Sequence, residues 1–303
     1  LNIKDDGANP TSSFKDRASS LVSAMAKKFG IDQIVLASTG NAGSSMAGVG
    51  AAAGQTVTLF LPKDAPSAKL IQALQYGATV HRVDGSYDLA YDLSMAYAHR
   101  KHAMSRNTAY NPMTIEGKKS VSLELYHQLG QTAPDYLFVS TGDGCILSGV
   151  YKGFRDLKQL GLIARMPVVF SVQAKGSDAL YRAFQNGRFE KRPVQTIADS
   201  ICVAVPRNGT HALAQLKNHG GEVVRVSDER IIAAQAQLSS STGLFTEPAG
   251  AAAFAGFLKV KDDLAEDATV VILATGNGLK DSPAASKGIR VPEHSLCSIE
   301  EIR

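Results

Sequence analysis

The feature that most constrains this chain of 303 residues is an alternation of short apolar runs with segments of helix length. The runs are "QIVLAS" (33–38), "TVTLFL" (56–61), "ATVHRV" (78–83), "YLFVS" (136–140), "VVFSV" (168–172), "GEVVRV" (221–226) and "TVVILAT" (269–275). Amphipathic stretches lie between them at 65–75, 87–101, 115–129, 146–160, 177–185, 209–219 and 229–242. Parallel strands need a crossover of a dozen or more residues, usually a helix. The alternation therefore predicts βαβ units and parallel sheets, an α/β fold. Most of the runs are apolar throughout, as strands covered by helices on both faces are. One sheet of seven or more strands would satisfy the pattern; two α/β domains suit the length better. Ligands of such domains gather at the carboxyl ends of the strands. The glycine-rich segments fall there.

Composition narrows the function. The chain is 44% hydrophobic and 20% charged, with 32 basic against 28 acidic residues. No block of like charge favours nucleic acid or a membrane surface. No apolar run nears the ~18 residues of a membrane span. Cys145, Cys202 and Cys297 are odd in number and far apart, with neither a disulfide framework nor a zinc spacing. The seven histidines show no metal-ligand spacing, and His81 falls in a strand run. A reducing, cytoplasmic setting is expected. No signal peptide opens the chain, and its start at Leu1 without methionine suggests processing or truncation.

Three loops follow three strands. "ASTGNAGSSMAG" (37–48) brings bare backbone to a helix start, and Asn41 adds an amide that donates and accepts. Its plainer reading is a tight turn with close helix–sheet packing. "STGDGCILSG" (140–149) offers the N–H groups of Gly142, Asp143, Gly144, Cys145 and Ile146 as an anion nest, reinforced by the helix dipole. The Asp143 carboxylate is expected to point outward. This is not a Walker loop, since no Gly-Lys-Ser/Thr follows, nor a dinucleotide fingerprint, since Cys145 stands where a glycine is required. "GVGAAAG" (48–54) lies late in a helix and reads as packing. In "ATGNGLKD" (274–281) Thr275 stands at a strand end, as a hydroxyl facing the crevice or as a simple N-cap.

A fourth segment, "NPTSSFKDR" (9–17), places Lys15 between an aromatic ring and an Asp-Arg pair. Asn9-Pro10 turns the chain, Ser12 or Ser13 is available to cap, and Phe14 shields the amine. Ser12 and Lys15 also spell S-x-x-K, but the S-D-N and K-T-G partners of serine acyl-enzymes are absent. An amine, an anion nest and a crevice hydroxyl together suit pyridoxal phosphate: a Schiff base, a phosphate cradle and a contact to the ring.

These segments resemble those of threonine synthase and its relatives, the fold-type II pyridoxal-phosphate enzymes. "NPTSSFKDR" is similar to N-P-T-x-S-F-K-D-R, "ASTGNAG" to the asparagine loop, "GDGCILSGVYKGF" to the phosphate loop and "ATGNGLKD" to T-G-x-G-L-K-D. The four stand in the family's order over nearly the whole chain. The resemblance implies two doubly wound α/β domains, a small mobile one near 36–128 and a large one from 1–35 plus 129–303, with the cofactor in the cleft. It makes Lys15 the Schiff-base lysine, with Phe14 beside it. Asn41 then meets the cofactor's 3′ oxygen, residues 142–146 hold its phosphate, and Thr275 meets its pyridine nitrogen. Ser38 and Thr39 are candidate contacts for a substrate carboxylate, and Lys15, once displaced, moves the protons. Members usually carry several dozen residues ahead of the lysine segment and form homodimers.

Two positions depart from the pattern that binds the phosphate of O-phosphohomoserine. Thr114 stands where an arginine is frequent, and Ala42 where a hydroxyl is. Lys118, Lys119, Arg106 or Arg17 could replace the arginine; the plain reading of the two lysines is a solvated helix face. The expected activity is that of a threonine-synthase-like lyase, O-phosphohomoserine and water giving threonine and phosphate. The alternatives are β-elimination of the serine/threonine dehydratase type, β-replacement on an activated serine, and a non-catalytic ligand-binding relative. Glu247, in "TEPAGAAAFAG" (246–256), reads as a structural helix start before Pro248.

Overall fold

The computed structural model of the protein describes residues 1–38, 40–63 and 67–289. Its strands are β1 (Asn2–Asp5), β2 (Gln33–Ala37), β3 (Thr56–Pro62), β4 (Thr79–Val83), β5 (Met104–Ser105), β6 (Tyr136–Ser140), β7 (Val168–Ala174), β8 (Glu222–Val226) and β9 (Val270–Ala274). They form two parallel sheets, β1-β9-β6-β7-β8 and β4-β3-β2-β5. All seven strands expected from the apolar runs are present. Two were not expected. β1 is polar because it is an edge: Ile3 pairs with Ile272, and its outer side needs no cover. β5 is only two residues long, too short for a periodic signal.

The main helices are α1 (Asp16–Lys28), α2 (Asn41–Ala52), α3 (Ser67–Gln75), α4 (Tyr87–Lys101), α5 (Met113–Lys118), α6 (Ser120–Gln128), α7 (Cys145–Gln159), α8 (Ala179–Asn186), α9 (Gly209–Asn218), α10 (Asp228–Thr242) and α11 (Pro248–Val260). The stretch 115–129 is two helices, since the chain tightens at Lys119 (φ −60°, ψ −22°). Gly117 lets α5 press on α1: a β-carbon there would lie 2.4 Å from the Arg17 carbonyl oxygen. Gly48 and Gly50 in α2 pack on Thr11 and Val57, as the late-helix reading requires. α11 is buried along most of its length, and its alanines let it lie close to the five-stranded sheet. No helix among the described residues is long and apolar enough to cross a membrane.

Arg17 ties the start of the chain to α6. Its Nε donates to Asp6 at 2.6 Å and its Nη2 to Glu124 at 2.7 Å. The guanidinium hydrogen bond holds the Glu124 carboxyl down, to about 2. A depressed carboxyl contributes stability above its ordinary value near 4.5, and that stability is lost as pH falls toward 2. Arg17→Met is expected to erase this component. Urea midpoints measured across that window should then fall less steeply with acid than in the wild type.

Candidate active site

The carboxyl ends of β2, β6 and β9 open into one cavity of about 750 Å³ between the two sheets. Its wall includes Lys15, Ser38, Asn41, Ser140, Thr141, residues 142–146 and Thr275. The loops that hold Ser38 and Asn41, residues 140–146 and Thr275, distant in sequence, thus meet because each follows a parallel strand of one of the two sheets.

Lys15 precedes the first turn of α1. The turn before it is not capped by Ser12 or Ser13. Instead Asp16 accepts the Thr11 amide at 2.7 Å, and the Phe14 amide donates to the Thr275 carbonyl at 2.8 Å. Phe14 is fully buried in the core under the five-stranded sheet and does not line the cavity. It fixes the backbone from which Lys15 projects.

Gly144 stands at the N-terminus of α7 with φ +82°. Among the described residues no acceptor meets the N–H groups of residues 142–146. The nest is braced from outside: Asn208 Nδ2 donates to the Gly144 carbonyl at 3.2 Å and to Ser148 Oγ at 2.7 Å. Asp143 turns toward the same loop, its carboxylate accepting the Arg207 amide at 3.0 Å. The Arg207 guanidinium then reaches across the cavity mouth to Asp88 at 2.7 Å, 4.1 Å from the Tyr91 ring centre. Burial pushes the Cys145 thiol up to about 11, so it is a packing group of the loop. Gly144→Ala would force a left-handed turn on a residue with a β-carbon, placed 2.6 Å from that of Ala212. It is expected to cost about 1–3 kcal/mol of stability, read from urea unfolding, and to lower affinity for inorganic phosphate.

Ser38 serves α2: its hydroxyl accepts the amides of Gly40 at 3.2 Å and Gly43 at 3.0 Å. Thr39 and Cys297 lie outside the described residues. Thr275 is not a cap. Asn277 caps the turn that follows, accepting the Leu279 amide at 3.0 Å, and Thr275 lines the cavity. Two polar atoms in the wall, Asn41 Oδ1 and Ser140 Oγ, are buried without a hydrogen-bond partner. Buried polar atoms seldom stay unpaired. With the unbonded amides of 142–146 they fit a ligand that has an anionic end and polar ring substituents. No group of three His, Cys, Asp or Glu that could hold a metal occurs among the described residues.

Sequence reasoning missed part of this wall. Glu247 lines the cavity and accepts Asn41 Nδ2 at 2.7 Å. Residues 199–205 line it too, from a stretch with little regular structure and hence no periodic signal. Among the four cations considered as replacements for an arginine at 114, the structure separates two pairs. Arg17 is in the cluster with Asp6 and Glu124, and Lys119 is bonded to Asp156 at 2.9 Å and to Glu116. Lys118 and Arg106 are fully buried and make no ion pair among the described residues. This corrects the reading of Lys118 as a solvated residue: its side chain turns inward, Nζ donating to the Thr114 carbonyl at 2.8 Å. Thr114 itself is fully buried, its hydroxyl bonded to the Asn111 carbonyl at 2.8 Å. Lys118 lines the cavity; Arg106 stands behind Thr108, which lines it, and donates to the Thr108 hydroxyl at 2.7 Å. Burial, with the fields of Arg106 and Lys15 added, pushes the Lys118 amine down to about 7. Burial lowers Arg106 to about 10.

Comparisons with known proteins agree with this geometry. The model of the family described as "Pyridoxal-phosphate dependent enzyme" matches residues 1–276. The chain is 34% identical to threonine synthase of Methanocaldococcus jannaschii, over 100% of this chain and 76% of that protein. It is 36% identical to threonine synthase of Mycobacterium tuberculosis, over 100% of this chain and 84% of the other. Among solved structures it superposes on serine racemase of Dictyostelium discoideum with a TM-score of 0.79 at 24% identity, covering 91% of this chain and 86% of that one. An amine, an amide, an amide-lined nest and a strand-end hydroxyl converge on one cleft in a chain that this family's model spans. The protein belongs to the pyridoxal-phosphate dependent enzymes.

Proposed function

We propose that this enzyme is a lyase of the threonine-synthase kind. It takes an amino acid whose side chain ends in a phosphate, O-phosphohomoserine, releases the phosphate and adds water at the β carbon. The observation that carries this reading is the pair Lys118 and Arg106: two cations fully buried beside the cavity without a carboxylate partner among the described residues. Taking a lone cation out of water is costly unless an anion joins it. The cofactor phosphate already has the nest at 142–146, so a second anion is implied, and the leaving group of O-phosphohomoserine supplies one.

Pyridoxal phosphate, when bound, supplies the electron sink for proton loss next to the amino group. The residues of this chain do the rest. The Lys15 amine attaches the cofactor and then carries protons at the α and β carbons. Amides 142–146 and the dipole of α7 hold the phosphate. Asn41 meets the 3′ oxygen. Thr275 meets the pyridine nitrogen, where a hydroxyl cannot hold a proton as a carboxylate would, so electron withdrawal stays moderate. Ser38 and Thr39 take the substrate carboxylate. Residues 36–128 close as a small domain over 1–35 plus 129–303 and exclude water. A cytoplasmic homodimer is the expected setting, supported by the cysteine usage and the family.

The test is an assay of purified holoenzyme with O-phosphohomoserine. Equimolar phosphate and threonine are expected. Keto acid from serine or threonine, with no phosphate release, would assign the protein to β-elimination instead.

A further inference from the structure

We propose that Glu247 is a positioning residue that fixes the orientation of the Asn41 amide toward the cofactor. The inference rests on the assignment of Asn41 to the cofactor made above. Glu247 and Asn41 are both buried in the cavity wall, and Asn41 Nδ2 lies 2.7 Å from Glu247 Oε1. An ionised carboxylate only accepts, and so does an amide carbonyl. A turned-over amide would set two acceptors against each other. Glu247 therefore selects the nitrogen side of Asn41, whose Nδ2 also donates to Ser200 Oγ at 3.4 Å, and leaves Oδ1 to the cavity.

The carboxylate is itself held in place. The Glu247 amide donates to the Gly276 carbonyl at 2.9 Å, and a β-carbon at residue 276 would lie 2.6 Å from Oε1. The contact crosses between layers. Asn41 opens α2, whose strand β2 belongs to the four-stranded sheet, while Glu247 precedes α11 on the five-stranded sheet. Asn41 and the backbone beside Thr275 are thus joined through one residue, the Glu247 carboxylate meeting Asn41 and its backbone amide meeting Gly276. A helix-starting role would use the side chain as a cap, yet Glu247 makes no side-chain cap bond to α11. Its backbone begins the helix and its carboxylate serves the opposite wall.

The test titrates pyridoxal 5′-phosphate into the cofactor-stripped full chain and follows its visible absorbance. Glu247→Met keeps the length and removes the acceptor. It is expected to weaken cofactor binding roughly tenfold, the effect of one lost charge-assisted hydrogen bond, and to move the visible band. Glu247→Gln, whose amide oxygen still accepts, should stay within about twofold of wild type by the same reasoning. Asn41→Ala should match Glu247→Met, and the double variant should be no weaker than Asn41→Ala alone. Equal behaviour of the Met, Gln and wild-type proteins, or additive losses in the double variant, would overturn the proposal. An unaffected Asn41→Ala would overturn the assignment of Asn41 as well; a weakened Asn41→Ala beside an unaffected Glu247→Met removes Glu247 alone. If circular dichroism shows Glu247→Met unfolded, Glu247→Asp decides in its place: withdrawn by one methylene, its carboxylate should also show the tenfold loss.

Discussion

Lys15→Ala is expected to lower turnover by about 10³-fold or more and to abolish the protein's visible absorbance with pyridoxal phosphate, while far-ultraviolet circular dichroism stays unchanged. A positioned proton carrier contributes roughly 10²–10⁴-fold on its own, and the covalent attachment is lost with it. The fold should survive. Lys15 lies at the edge of α1, only half-buried, and the turn before it is held by Asp16, Thr11 and the Phe14 backbone. Added primary amines of small volume should restore a fraction of the activity, since the site would keep its nest and its amide. Retention of both the visible band and turnover in Lys15→Ala would remove the amine from the chemistry.

The second large effect concerns Lys118 and Arg106, where stability and affinity are expected to move in opposite directions. Each contact to a doubly charged phosphate is worth about 1.5–3 kcal/mol. Lys118→Met, at the cavity wall, should raise KM for O-phosphohomoserine by roughly 10–100-fold; Arg106→Met, which acts from behind Thr108, should raise it less. Replacing a buried unpaired charge by an apolar chain of similar size relieves desolvation, so Lys118→Met should stabilise the protein by ~1–4 kcal/mol. The pH dependence has a definite sign. The folded-state amine is lowered from 10.5 to about 7, so the unfolded chain binds a proton first as pH falls. The burden on the fold grows from pH 10.5 down to about 7 and is constant below. The stabilisation by Lys118→Met should therefore be complete below pH 7 and fade toward pH 10. Conversely kcat/KM of the wild type should fall as pH rises through about 7, because only the ammonium attracts the phosphate, and this limb should vanish in the variant. A destabilised Lys118→Met with unaltered KM would mean that the lysine is a packing element.

The fold was legible wherever burial and period agreed. Strands β2, β3, β6, β7 and β9 announce themselves because a parallel strand covered on both faces is largely apolar; the edge strands β4 and β8 are legible from their β-branched residues, although β4 is largely exposed. The polar edge strand β1 and the two-residue β5 carry no such signature. Of the site, the residues on glycine-rich loops after strands were visible, since backbone approach to a ligand demands small residues at particular places. Lys118 was misjudged because a lysine on an amphipathic stretch is ordinarily solvated; only tertiary packing against α7 turns it inward, with its β-carbon side filling the space that Gly149 leaves. Glu247 was half-read. The Glu-Pro pair does begin α11, but nothing in a linear chain says that the carboxylate looks away from its own helix.

The strand order carries a consequence for how the protein is made. β9 lies between β1 and β6, pairing Asn2–Asp5 on one side and Tyr136–Val139 on the other. The four-stranded sheet is complete once residue 105 has emerged from the ribosome, but the five-stranded one has a gap until residues 270–274 arrive. During translation β1 and β6 wait with unpaired edges for the strand that joins them. Such long-range closure is slow and exposes nascent chains to aggregation, so the yield of native enzyme should respond to elongation pace and chaperone supply more than to its equilibrium stability.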